Sequence, residues 1–488
     1  MILERVGMTS TRSRSTALAL GLIASLAAPM QAWAHAGEGG FVLLLPTDYY
    51  IAGGTIAVAV SFLLLLFVPA TVVRRFATAR VAICRTPEIP ESATSVVAFA
   101  ILVLLLLSGW YGTRDPLRNP LPLTIWNLWW AGLTIAQALF GKLWALFNPW
   151  IAPCRALRRL LFGSATNHAP MGYPGWLGYW PAVFSFLAFA WFELVDPAPD
   201  DPARLALAVT IYSTVTIAGM LCFGERAWLA RAECFSVFFT FVARLAPLQV
   251  RRLDTGGRCR PTLHLVFPGA SLADRDALPI AGVLFVLLTL ASVSFDGLSR
   301  TFWWLDLGGV NPLEFPGRTA VVPLNSLGLV AMWATLAAAF TLAIGLGRRL
   351  VGRHADLRAD LGAFVLSVLP ISIGYHFAHY LTIFMVDAQY GALALGDPFA
   401  LGWDLFGLGQ RHVTVSFLSD YHAVSIIWRF QASGVVLGHI VAVALAHAIA
   451  VNRFGTARAA LRSQIPLATL MIGYTLFGLW LLAAPAVG

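Results

Sequence analysis

About ten apolar stretches divide this chain, near 48–70, 93–111, 123–141, 177–195, 203–222, 277–296, 321–346, 361–387, 430–450 and 464–485. Each is long enough, or nearly so, to cross a hydrocarbon layer of about 30 Å as a helix. Lipid offers the backbone no hydrogen-bond partners, and a helix satisfies its own peptide groups within one segment. The sequence therefore predicts an all-α fold, a polytopic transmembrane helix bundle of about ten spans. Only 12% of the residues are charged and 58% are hydrophobic, against about 25% charged in a soluble domain, which excludes a soluble globular enzyme. The net charge of +9 is an excess expected of cytoplasmic loops, and no nucleic acid partner is expected from it.

Arg12 and Arg14 precede an apolar run from Thr16 to Ala28, and Ala32-Trp33-Ala34 follows as a small-x-small cleavage site, the pattern of a secretory signal. Cleavage after Ala34 divides the chain into a signal peptide, 1–34, and a single transmembrane domain, 35–488, that begins with His35. An N-terminal histidine offers an amine and a ring nitrogen, ligands that suit copper, nickel and zinc. The alternatives are an uncleaved first helix and a His35 with no ligand.

With the mature N-terminus outside, the inner loops collect most of the arginines, among them Arg74, Arg75, Arg80, Arg85, Arg155, Arg251, Arg252, Arg348 and Arg453. The outer side keeps Arg114, Arg118, Arg204, Arg300, Arg318, Arg411 and Arg429. This positive-inside bias predicts a multi-pass protein of the bacterial inner membrane with its active side facing the periplasm. All five cysteines fall inside under the same scheme, where thiols stay reduced. The segment 232–248 is apolar but short and flanked by basic residues. It is expected as an interfacial or re-entrant helix, because one more full span would invert every later loop. Residues 249–276 are expected as a cytoplasmic loop, and 388–429 as a long periplasmic one.

Two of the late spans carry histidines in their apolar interiors: His376 and His379 in the first, His439 and His447 in the second. Ionisable groups are costly in hydrocarbon, so they face the protein interior and are functional by default. The spacing of His376 and His379 puts both on one helix face. Counted from Asp387 and Arg429 as outer ends, His379 lies about 12 Å deep, His439 about 15 Å and His376 about 16 Å. Three imidazoles at one depth on consecutive helices predict a shared site for a divalent transition metal, zinc or copper. Asp387 and Asp296, at helix ends, are the candidate ligand, base or supporting carboxylate, with a solvated helix end as the alternative for each. The bland alternative is a separate structural hydrogen bond for each ring. His447 is expected near the inner face, and His168, His264 and His354 on loop surfaces. Trp303, Trp304, Trp403 and Trp428 read as an interfacial aromatic belt. There is no HExxH, P-loop, paired CxxC or GxSxG in the chain.

FNPW at 147–150, WLARAECFSVFFTFVARLAPL at 228–248, SFDGLSRT at 294–301, GYHFAHY at 374–380, GDPFALGWDLFG at 396–407 and WRFQASGVVLGHIVAVALAHA at 428–448 together resemble a bacterial integral membrane family known as fenitrothion hydrolase. The resemblance spans nearly the whole mature chain. It implies hydrolysis of a lipophilic organophosphorus triester with release of a nitrophenol, and a possible second related membrane subunit as partner. It brings no established catalytic residues. Triester hydrolysis needs an activated water and stabilisation of charge on the phosphoryl group, and His with one or two carboxylates can hold a metal with an open position for that water. An apolar pocket between helices, open to membrane lipid, suits such a substrate. Three rivals use the same residues differently: copper handling, a b-type haem with one His from each of two helices, and a transporter with a His proton relay.

Overall fold

The computed structural model describes residues 45–486 apart from 66, 69–70, 73–74, 76–77, 164–169, 255–258, 274–275, 315–316 and 353–355. The expected signal peptide with His35, and the loop residues His168 and His354, lie outside the described residues.

The chain forms the all-α bundle its apolar runs require. Its main helices are α1 (Thr47–Leu65), α2 (Glu91–Tyr111), α3 (a composite of Pro120–Pro122, a π-helix Leu123–Leu133 and Thr134–Phe140), α4 (Ile151–Phe162), α5 (Trp180–Leu194) and α6 (Pro202–Phe223). After these come α7 (Cys234–Val242), α8 (Ile280–Ser299), α9 (Arg318–Arg349), α10 (Leu357–Phe364), α11 (Leu369–Gly396), α12 (Tyr421–Phe454) and α13 (Ala457–Ala483). Among the described residues eight helices are long and apolar enough to cross a membrane, counting 357–396 as one. The other two expected spans are α3, widened by its π-helical middle, and the shorter α5.

Sequence punctuation explains the helix ends. Asp201 accepts the backbone N–H of Arg204 ahead of Pro202 at the first turn of α6, and Asp420 and Thr456 cap α12 and α13 in the same way. Such caps satisfy amides that have no partner inside the helix.

Helix α8 and the 357–396 stretch lie at the centre, 83% and 89% buried over their apolar windows, while α1 is 11% buried and faces outward. The central crossing of α11 and α12 depends on glycine. A Cβ on Gly438 would stand 2.6 Å from the Pro370 carbonyl oxygen, and one on Gly374 would stand 2.6 Å from that of Gly434. Gly434 and Gly438 are four apart, the small-xxx-small spacing that lets membrane helices approach closely.

Five expectations change. Of the two alternatives for segment 232–248, the interfacial one changes: α7 is nine residues long, too short to span, and every residue in it but Thr240 is buried. Its aromatic rings pack on Trp129, Trp130, Phe186 and Phe189 of α3 and α5. The stretch read as a cytoplasmic loop folds with residues 80–85 into a small antiparallel sheet, β1 (Arg80–Arg85), β2 (Leu248–Asp254) and β3 (Cys259–Val266), in the order β1-β3-β2. His264 is buried in β3 rather than exposed. The long loop shrinks to 397–420, because α11 continues past Asp387 to Gly396 and α12 begins at Tyr421. Within it Asp397 accepts the amides of Leu401 and Gly402, and Asp404 those of Leu408 and Gly409, so DPFALG and DLFGLG form one turn twice. Of the aromatic belt, Trp428 is a core residue packed on Tyr50.

Candidate functional site

Three helices bring ionisable side chains together at the end of the bundle where α5 and α8 finish. Glu193 is one residue from the C-terminus of α5, Asp296 is in the last turn of α8, and His379 and Tyr380 lie mid-way along α11. Asp296 and Tyr380 are buried, and His379 keeps 19% of its side chain exposed.

The contacts form a chain. His379 Nε2 lies 2.7 Å from Asp296 Oδ2, but off the axis of the ring N–H, so no directed hydrogen bond joins them. Asp296 Oδ1 pairs with the Arg300 guanidinium at 3.1 Å. Arg300 follows α8, and the Asp296 charge pushes its pKa further above the usual value, which keeps it cationic. The Tyr380 hydroxyl donates to Glu193 Oε1 at 2.6 Å and is 3.2 Å from Asp296 Oδ2, while accepting the indole N–H of Trp130 at 3.1 Å. A phenol has one proton to give, so the buried Asp296 and the half-buried Glu193 compete for it, and the shorter contact favours Glu193. The Glu193 carbonyl in turn accepts Arg318 at 2.8 Å.

Helix α3 supplies the remaining wall. Its π-helical stretch, a feature often found at functional sites, carries Trp130. The Trp130 carbonyl lies 3.0 Å from His376 Nε2. A carbonyl only accepts, so Nε2 holds the proton and cannot ligate a metal in this tautomer. Asn127, one turn earlier, is buried with neither amide atom paired among the described residues.

The expected convergence of His376, His379 and His439 does not occur, because each ring is committed elsewhere. His376 meets Trp130, and His379 meets Asp296. His439 donates from Nδ1 to the Val435 carbonyl of its own helix at 2.9 Å and packs beside Tyr375, with its ring centroid 6.0 Å from that of the phenol. Among the described residues no group of three or more His, Cys, Asp or Glu side chains is placed to hold a metal ion. The described histidines of the set proposed for zinc or copper, His376, His379 and His439, are thus not gathered at one point, and His35 lies outside the described residues. Asp387 lies about two turns beyond Tyr380 on α11, half-buried, with Asp200 as its charged neighbour. His447 makes a separate contact with Gln464 at 3.1 Å.

Sequence reading found His379 and Asp296 but missed Glu193, Tyr380 and Arg300. Glu193 stood out in WFEL as a carboxylate inside an apolar run, and that alone was a usable signal. Tyr380 carried none, since a tyrosine in a span is ordinary. Comparison of the chain with models of protein families, with characterised proteins and with solved structures finds no match.

Proposed function

We propose that this chain is a membrane hydrolase in which His379, held against Asp296, acts as general base on water. We assign it a lipophilic, uncharged organophosphorus triester as substrate, the class implied by the sequence resemblance, and place the site on the periplasmic side of a bacterial inner membrane, following the arginine distribution. The observation that carries the reading is the 2.7 Å contact between His379 and Asp296 with His379 still partly exposed. A base has to reach both its water and the carboxylate that stabilises its protonated form. The off-axis geometry suits a ring that turns toward a substrate when one arrives.

In the reaction the water oxygen bonds to phosphorus, the bond to the aryloxide breaks, and the water proton passes to His379. Asp296 stabilises the imidazolium. Arg300 lies beside the site, where a cation offsets charge growing on the phosphoryl oxygen or sulfur. Tyr380 links Asp296 to Glu193, a second acceptor to which the proton can move before it returns to the leaving aryloxide.

A second reading is a proton-coupled transporter, favoured by the two carboxylates that share one phenol, an arrangement suited to a relay within a bundle. One preparation separates the two. Purified protein in lipid nanodiscs should release nitrophenol from fenitrothion, and His379→Ala and Asp296→Asn should lose that activity while remaining folded. A folded wild type that releases none, or a His379→Ala variant as active as wild type, would overturn the hydrolase reading. Substrate uptake driven by a pH gradient in proteoliposomes, without nitrophenol release, would favour the transporter.

A further inference from the structure

The small sheet lies past the end of α3, where the Leu248 carbonyl is 2.9 Å from the Cβ position of Gly141, and takes no part in the His379 site. At the centre of one of its faces, on the middle strand β3, is His264. It is 5% exposed, and neither ring nitrogen has a hydrogen-bond partner among the described residues. A neutral imidazole carries one N–H and one lone pair, and leaving both unmet in the interior is a cost. The strand pairing does not relieve it. The residues directly opposite are Ala82 of β1 and Gln249 of β2. Ala82 has no polar group, and Gln249 turns its amide nitrogen to the Ala246 carbonyl and Ser271, and its oxygen to Arg251.

Three arginines surround the ring. Arg80 pairs with Val266, and Arg85 and Arg251 both pair with Thr262. Val266, His264 and Thr262 alternate onto one face of β3, and residues directly opposite one another share a face. All three arginines are therefore diagonal neighbours of His264, about 7–8 Å away, a gap that a long side chain spans.

No carboxylate joins them. None of the three forms an ion pair among the described residues. Arg80 and Arg85 are exposed, and Arg251 is half-buried, its pKa pushed down by burial and by the charge of Arg80. That repulsion reaches across β3, since β1 and β2 are the two edges of the sheet. The carboxylates close in sequence fall elsewhere: Asp254 has the register of Leu248 and Val250, and Glu88 lies beyond the end of β1.

Like charges gathered around an unmet imidazole suit an oxyanion. Guanidinium forks match phosphate oxygens in pairs. A tetrahedral phosphate has oxygens for donors arriving from both edge strands and from the ring between them, whereas a carboxylate has only two. The Thr262 hydroxyl, between Arg85 and Arg251, is a further donor on the same face.

We propose that this face of the sheet binds a phosphate group, with Arg80, Arg85 and Arg251 as its charged donors and the His264 ring N–H as its buried one. Inorganic phosphate and the headgroup of phosphatidic acid share that chemistry. The full chain, in nanodiscs of phosphatidylcholine, is titrated with inorganic phosphate by calorimetry. Saturable binding is expected, with a rise in the thermal transition, since a ligand that binds only the folded state stabilises it. Arg80→Gln with Arg85→Gln, and separately His264→Leu, should each weaken binding by about tenfold or more. Arg349→Gln, which removes an exposed arginine at the end of α9, should bind as wild type. If the site takes the lipid, the titration stays silent and native mass spectrometry of protein from discs containing phosphatidic acid finds that lipid retained by the wild type and lost from the double variant. A wild type that neither binds phosphate nor retains phosphatidic acid would overturn the proposal. So would wild-type binding or retention in the double variant or in folded His264→Leu. Should His264→Leu fail to fold, the double variant, whose two side chains are exposed, carries the test alone.

Discussion

The Tyr380 hydroxyl stands between the carboxylates of Glu193 and Asp296, 2.6 Å from one and 3.2 Å from the other. It joins helices α5, α8 and α11 through a single atom. Asp296 also meets His379, so the phenol and the partly exposed ring converge on one buried carboxylate. No two of these four residues are close in sequence except His379 and Tyr380.

Removing the base or its partner should stop the chemistry without unfolding the bundle. His379→Ala and Asp296→Asn are each expected to lower nitrophenol release by about 10²–10⁴-fold, the usual contribution of a positioned acid or base. The rate should be measured on protein whose thermal transition matches wild type.

Tyr380→Phe tests the link itself. The ring remains and only the bridging oxygen goes, so the protein should fold while turnover drops. Glu193→Gln should reproduce part of the loss. Steady-state rates and their pH profile check this: a relay role predicts that both variants change the profile in the same direction, whereas a Tyr380→Phe variant with the wild-type profile would make the hydroxyl purely structural.

His439 should be dispensable for activity. It is fully buried, and its Nε2 has no partner among the described residues; an unmet polar atom in the interior is a cost. His439→Leu is expected to leave activity unchanged and to hold or raise the melting temperature. Lost turnover in a folded His439→Leu protein would return this ring to the site.

Gly438→Val should separate α11 from α12. Its Cβ would meet the Pro370 carbonyl at 2.6 Å, and overpacking of this kind costs about 1–3 kcal/mol. Thermal unfolding in detergent should show the loss, and Gly473→Ala, where an added Cβ meets nothing within 4 Å, is the matched control.

At the far end, Asp360 is buried between Arg348 of α9 and Arg453 of α12. Asp360→Ala leaves two guanidinium groups facing each other, one of them buried, and breaking such a pair costs about 3–5 kcal/mol. Melting temperature should fall markedly, with nitrophenol release per folded molecule retained.

The sequence by itself determined that this chain is a bundle of membrane helices, because runs of apolar residues near 20 long have one way to satisfy their backbones in lipid. It also marked His379, since an ionisable group inside such a run is conspicuous, and offered Asp296 only as a carboxylate at a helix end. It did not determine which groups meet. Depth along a helix follows from residue number, but the azimuth of each ring depends on how the helices cross. That was decided by tertiary contacts: Gly374, Gly434 and Gly438 set the approach of α11 and α12, and the π-helical turn of α3 brings the Trp130 carbonyl to His376. The three histidines lie at similar depths and still part company, while Glu193 and Tyr380, which no spacing rule connects, share a proton. The sheet shows the same limit. Its strands alternate in residue type, but only their pairing with one another revealed Arg80, Arg85 and Arg251 around His264 on a single face.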